Sequence, residues 1–457
     1  MKNIVIKLLG LLFLFSVSNL FSLKAEEVRL TDIKKVALNA FSGYSGITQN
    51  ESKIVREIPV IRQDTILFYV FNFDEGFIMV AADNASVPIL GYSVTSGFDF
   101  NDVPPALHYL LEGYKEEIVH AKRVRLRASP EIKKQWDDLL SENSDRGAPP
   151  LDPGIIQTQS LYTPGTWLLE TVWDQQGGKA SNSTITYNHY CPATAQGPKT
   201  LVGCGGVALA QILNFYKCRI HPQGPPINYT LPGLPPININ LANETYNWNN
   251  MLPGQANLDN AKLLYHSAAA LQSGFGLLGT SSFIRDIPTA LSTYFGFGFS
   301  FVNDRSIHND NAWINLLKGA IDGRRPIFYS GDNQYEDGGH TWVVDGYNNN
   351  NHFHCNWGWG GKTNGWFNLS NLTAIGEGNY NFNYKQKAIT GATPNYYSYY
   401  KHQNMTIACN TFIGHSFQIA NCKIANNSQV FYEAECSIEI FGTFEVPLGS
   451  TLEMKMK

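Results

Sequence analysis

Charge is scarce in this chain of 457 residues: Asp, Glu, Lys and Arg make up 16%, and the formal net charge is -4. A slightly acidic surface attracts neither nucleic acid nor an anionic membrane, so neither is expected as a partner. Lys122, Arg123, Arg125 and Arg127 are the local exception and read as a solvated helix end. Beyond the leader no apolar run is long enough to span a bilayer, so no membrane insertion is expected. No Cys follows the leader where a lipid would be attached, and no long-period repeat runs through the chain. What remains is globular in composition, 43% hydrophobic and rich in Tyr, Phe and Trp, with length for two to four folded units.

The chain opens MKNIVIKLLGLLFLFSVSNLFSLKA, with Lys2 and Lys7 ahead of a short apolar run and a small residue, Ala25, where cleavage fits. That is the pattern of a secretory signal peptide over residues 1–25, and the run is too short and too interrupted by Ser and Asn for an anchor. The expected location is therefore secreted or at the cell surface. Seven cysteines is an odd number, so an exported chain keeps at least one free thiol or pairs between chains. Cys204 is the candidate for the free thiol. Cys191, Cys218, Cys355, Cys409, Cys422 and Cys436 have buried, inert thiols as their simplest reading.

Residues 66–71, ILFYVF, and 77–82, FIMVAA, read as two buried strands joined by the turn NFDEG. After Pro105, the three- and four-residue steps of Leu107, Leu110, Leu111, Tyr114 and Ile118 predict a helix with one apolar stripe. The polar stretch from Ser141 to Gly154 has the Pro and Gly content of an exposed linker and processing region. Residues 151–391 carry the Gly- and aromatic-rich motifs. Beyond Ala392, short alternating pieces without a helical period predict a small all-β appendage over 392–457, whose strands could be rungs of a stacked β structure.

A cysteine peptidase needs a thiolate, an imidazole to ionise it and later protonate the leaving amine, and a group that orients the imidazole. LVGCGGVALAQILNFY sets Cys204 at the start of a small-residue apolar helix running to about Tyr216, where first-turn N–H groups are expected to lower its pKa. EDGGHTWVVDGYNNNNHFHCNWGWGG reads as a β-hairpin turning at Asn348 to Asn351. Along its first strand His340, Trp342 and Val344 share a face and Asp345 points to the other, which makes Asp345 a poor orienter for His340. Asn356 lies on the returning strand, where its face depends on hairpin register.

GCGGVALAQI, GGHTWVVDGY and CNWGWGG resemble the active-site blocks of the streptopain family of papain-like peptidases. His340 and Asn356 follow Cys204 by about 136 and about 152 residues, near the roughly 130 to 150 of papain-like enzymes. The resemblance implies Cys204 as nucleophile, His340 as base, and Asn356 with Trp357 or Trp359 around the histidine. Trp359 is taken as the tryptophan that shields the histidine's hydrogen bond from water. For the oxyanion hole it implies the Cys204 N–H and, from WDQQGG, Gln175, with Gln176 and Gln196 as rivals. YNHYCP at Tyr187 to Pro192 supports placing that block at Trp173. Residues 67–119, including GFIMVAADNASVPILGYS, are similar to the family's propeptide. Gly205 and Gly206 depart from the family, which usually carries larger residues there, and weaken the helix start.

His352, His354 and Cys355 offer metal-ligand types, but neighbouring strand residues face opposite ways and no fourth ligand presents itself, so no metal or cofactor is expected. The fold expected is α+β: a papain-like domain over 151–391, preceded by an α+β inhibitory propeptide over 26–150. The function expected is a secreted, self-processing cysteine endopeptidase whose partners are protein or peptide substrates and its own propeptide. The competing readings are a Cys-His amidase or transglutaminase, and an inactive protein-binding adhesin.

Overall fold

Cores form on both faces of one sheet, and the chain order explains how. The structure, a computed structural model, describes residues 27–48, 51–141, 162–177, 184–217, 220–332, 339–373, 385–394, 399–408 and 410–456. The expected leader, and all but Ser141 of the expected linker, lie outside the described residues.

Helix α1 (Leu30–Ser45) ends where Gly46 takes φ 73°, a left-handed value that glycine tolerates. Strands β1 (Arg56–Arg62), β2 (Thr65–Asn72), β3 (Phe77–Ala81) and β4 (Ile89–Ser93) follow as an antiparallel meander. The hairpin predicted around NFDEG is β2–β3, with Asn72 opposite Phe77. Helix α2 (Pro105–Val124) starts on its proline and buries the predicted stripe of Leu107, Leu110, Leu111, Tyr114 and Ile118. Its basic end is less solvated than predicted, since Lys122 reaches the buried Asp83 carboxylate at 3.2 Å. Helix α3 (Pro130–Leu140) is capped by the Ser129 side chain, which accepts the Ile132 N–H.

The elements that follow are α4 (Cys204–Tyr216), β5 (Ile227–Tyr229), β6 (Ile237–Ile239), α5 (Leu258–Ala270), α6 (Ile287–Tyr294), β7 (Asn303–Asp304), α7 (Asp310–Asp322), β8 (Ile327–Asp332), β9 (Gly339–Tyr347), β10 (His352–Asn356), β11 (Gly365–Asn368) and β12 (Lys387–Ile389). Ten strands join in one antiparallel sheet of order β1-β2-β3-β4-β11-β10-β9-β8-β12-β7. Its seam is β4–β11, where Gly91 lies opposite Phe367 and Tyr92 opposite Trp366. The close approach needs a glycine, because a β-carbon at position 91 would sit 2.6 Å from the Phe367 ring.

Alternation along β9 feeds two cores. Trp342 and Val344 pack with Cys355, Trp357, Leu107 of α2 and Trp313 of α7. Val343 packs with Leu209 of α4, Leu264 of α5 and Leu291 of α6. With both faces covered, β3, β4 and β10 are buried along their whole length.

The tail is a parallel stack of β13 (Tyr399–Gln403), β14 (Thr406–Ile407), β15 (Asn410–Ile424), β16 (Gln429–Glu445) and β17 (Thr451–Met456). It is all-β, but β15 and β16 are long, 15 and 17 residues, where the pattern predicts short pieces. Register shifts at Gly414/Ser416 and Ala420/Cys422 break the alternation and make long strands read as fragments.

Candidate active site

Gly203, at φ 88° and ψ 148°, turns the chain into α4 so that Cys204 is its first helical residue. The weak helix start has a packing reason. A β-carbon at Gly205 would run into Ser282 Oγ, and one at Gly206 would lie 2.9 Å from the Ala268 side chain of α5. Cys204 is half-buried, and the Thr341 backbone N–H donates to its Sγ at 3.5 Å. Burial pushes the thiol up from its ordinary value; the N–H groups of Thr341, Gly205 and Cys204 itself pull the other way without offsetting it. The expected lowering by the helix N-terminus is thus outweighed by desolvation of the thiolate, and ionisation here calls for a cation.

His340 stands beside Thr341 in β9 and is paired with Gly331 of β8. The ring of Tyr109, from α2, lies so close to Gly331 that any β-carbon there would collide with it. Cross-strand partners share a face, so the β-carbon of His340 lies on the α2 side of the sheet. The next residue, Thr341, is the one whose N–H meets Cys204.

Asn356 is opposite Val343 of β9, after a register shift between His354 and Cys355. Alternation puts it on the α4 side. Its Nδ2 donates to the Thr171 carbonyl at 2.7 Å and Gln211 Oε1 at 3.3 Å, and its Oδ1 accepts from Gln211 Nε2 at 3.3 Å and the Gly358 N–H at 3.2 Å. Gln211, in α4, is the residue that sequence reasoning missed. Its signal was a single amide within the apolar run VALAQIL. Asp345 is buried and accepts from His354 Nδ1 at 2.7 Å and the Leu169 N–H at 2.9 Å. Trp167 stacks on His354 with ring centroids 4.6 Å apart.

The two tryptophans separate. Trp357 is a core residue whose Nε1 donates to the Thr363 carbonyl and whose ring centroid lies 5.3 Å from that of Trp342. Trp359 is half-buried and precedes Gly360, whose N–H donates to the Trp173 carbonyl at 3.1 Å. Gln175 is half-buried, and its carbonyl accepts the Val202 N–H at 3.0 Å, two residues from the nucleophile. Gln176 is exposed; Gln196 is exposed and lines a separate cavity of about 350 Å³ with Thr194, Phe275 and Leu277. His352 Nε2 bonds the Ile89 carbonyl at 3.0 Å, and Cys355 lies in the core. Among the described residues no group of three or more His, Cys, Asp or Glu could hold a metal ion.

Residues 182–367 match the profile of the peptidase C10 family, and residues 25–118 match that of the Spi protease inhibitor. The thiol protease/hemagglutinin PrtT of Porphyromonas gingivalis is 28% identical over 354 residues, 73% of this chain and 37% of its own. Streptopain of Streptococcus pyogenes is 27% identical over 357 residues, 71% of this chain and 80% of its own. By these matches the chain is similar to the streptopain-type cysteine peptidases. The peptidase shares its fold with a solved prointerpain A fragment of Prevotella intermedia, at 24% identity and a TM-score of 0.55, covering 74% of this chain and 98% of the fragment. The peptidase match contains Cys204, His340 and Asn356, and the inhibitor match contains α1, β1 to β4 and most of α2. It is a cysteine endopeptidase made as a zymogen.

Proposed function

We propose that this peptidase cleaves proteins through a Cys204 thioester, with His340 as general base and then general acid. The observation that carries the proposal is the contact between Cys204 Sγ, at the first turn of α4, and the backbone N–H of the residue beside His340. His340 takes the thiol proton, and Sγ attacks the scissile carbonyl carbon. The oxyanion receives the Cys204 N–H and the Gln175 side-chain amide. Collapse expels the amine, protonated by His340, and water activated by the same imidazole hydrolyses the thioester. Because burial raises the thiol, the imidazolium is what sustains the thiolate. Asn356, on the α4 side of the sheet, is the residue assigned to orient the imidazole, and Trp359 the one assigned to shield that bond from water.

In the precursor, α2 occupies the face of β9 that bears His340, which supports an inhibitory prosegment over 26–150 ahead of a catalytic domain over 151–391 and a β tail over 392–457. Self-cleavage falls upstream of Tyr162, in the processing region that begins at Ser141. The following segment is held to β9 by the Gly165 N–H on the Tyr347 carbonyl and the Leu168 N–H on the Asp345 carbonyl, both at 2.9 Å. Residues 1–25 direct export to the surface or medium.

Casein hydrolysis by wild type and Cys204→Ala under reducing conditions tests the assignment: activity should vanish in the variant, and substantial residual turnover would overturn it. An added primary amine should leave the hydrolytic product dominant, whereas its capture as the main product would mark a transferase.

A further inference from the structure

Gln211 lies two turns along α4 from Cys204, about 10 Å up the axis on the same helix face. Its side chain is wholly buried. Oε1 accepts the Trp173 N–H at 3.1 Å and Asn356 Nδ2 at 3.3 Å, while Nε2 donates to Asn356 Oδ1 at 3.3 Å. The main chain fixes which way both amides point. The Trp173 N–H demands an oxygen, the Thr171 carbonyl demands an NH2 and the Gly358 N–H demands an oxygen, so neither amide can flip without setting donor against donor.

The segment that carries Gln175 therefore has two ties beside the nucleophile, Trp173 to Gln211 and Gln175 to Val202, with only Asp174 between them. We propose that Gln211 is a positioning residue for peptide hydrolysis, holding the Gln175 oxyanion donor and the Asn356 amide at a fixed distance from Cys204. This rests on the roles given above to Cys204 and Gln175. With the Trp173 N–H tie cut, the segment stays bonded through its carbonyl to the Gly360 N–H at 3.1 Å, through Trp173 Nε1 to the Leu252 carbonyl at 2.8 Å and through Gln175 to Val202, but loses its side-chain anchor on α4. A misplacement of about 1 Å at such a donor costs on the order of 10²-fold in rate.

Gln211→Met keeps the volume and removes the polar atoms; Gln211→Glu keeps an acceptor for the Trp173 N–H. Three quantities are measured for each: kcat and KM on a peptide substrate, thermal unfolding, and the rate of Cys204 alkylation by iodoacetamide, which needs a thiolate but no oxyanion hole. In the Met variant kcat should fall about 10- to 100-fold while KM and the alkylation rate stay within about twofold, and the Glu variant should retain more of kcat. Unchanged kcat, or alkylation falling in step with kcat, would overturn the proposal, the latter showing a general loosening of α4. If Gln211→Met does not fold, the same split between kcat and alkylation is read in Gln211→Glu. Failure of the underlying assignment shows separately, as a wild type that is not alkylated at Cys204 at neutral pH, and the proposal falls with it.

Discussion

Replacing Tyr114 by Phe in the precursor isolates one bond across the seam between prosegment and peptidase. Tyr114 Oη, on α2, lies 3.1 Å from the Leu90 carbonyl in β4 and 2.6 Å from the Asn368 carbonyl in β11. A hydroxyl has one proton to give, and the shorter contact assigns it to Asn368, across the seam. Phenylalanine leaves the ring in the core and deletes only the donor. A buried hydrogen bond contributes about 1 kcal/mol net, and a carbonyl left unsatisfied adds to that, so docking should weaken by about 1–2 kcal/mol. The undocked fraction then rises about 5- to 30-fold. The assay is the onset of peptide hydrolysis after reductant and a fixed trace of mature enzyme are added to each precursor. Onset should quicken by a comparable factor, and the matured products should share one kcat because Tyr114 is no longer part of them. An unchanged onset would refute the idea that this seam holds the prosegment, and a changed kcat would show that prosegment remains bound after cleavage.

Cys204→Ala precursor incubated alone with reductant should keep its full length, and maturation at the wild-type rate would exclude self-processing. Asn356→Ala should lower kcat less than His340→Ala, since it disturbs placement rather than proton transfer; kcat at or above that of wild type would show that another residue serves His340. Glu117, buried on α2 with Oε1 accepting the Thr373 N–H and hydroxyl at 2.8 Å, is pushed up to about 7 from 4.5, chiefly by burial. Its folded-state value is raised, so its contribution is fully present below about 4.5 and is lost as pH rises to about 7, by roughly 3 kcal/mol. Glu117→Gln, melted in a Cys204→Ala background, should therefore exceed its parent in stability at pH 8, with the gap closing toward pH 4.5. His352, which burial lowers to about 4, acts in both proteins and cancels in the difference. A gap that does not narrow would sink the argument.

Local signals carried much of this reading. The stripe from Leu107 to Ile118, the turn at NFDEG, and the glycine before Cys204 each concern neighbouring residues, and each matches an element. What escaped depends on pairings between distant residues. The seam joins Gly91 to Phe367, and nothing in either stretch names the other. The partner of Asn356 turns on one register shift, where β9 carries Asp345 as an extra residue between the partners of His354 and Cys355, so that Asn356 meets Val343. The net thiol shift at Cys204 escaped because the helix N-terminus is legible in sequence and the depth of burial is not. Gln211 was in view within an apolar helix, but its meaning lies in Trp173 and Asn356, each far away in sequence.

The shared sheet also sets what a cut in the proposed linker would release. Phe367 and Trp366 of β11 pack against Phe77 and Tyr92 of the prosegment, with ring centroids 6.2 and 6.4 Å apart, so release bares a strand edge and aromatic surface together. While the chain is continuous, the prosegment docks within its own molecule at an effective concentration of about millimolar. Once the linker is cut, docking becomes bimolecular, and at nanomolar enzyme the same contacts face a dilution of about 10⁶-fold. No conformational trigger is needed. Cleavage converts a lasting seam into a reversible one, and each further cut within the released prosegment makes the loss permanent.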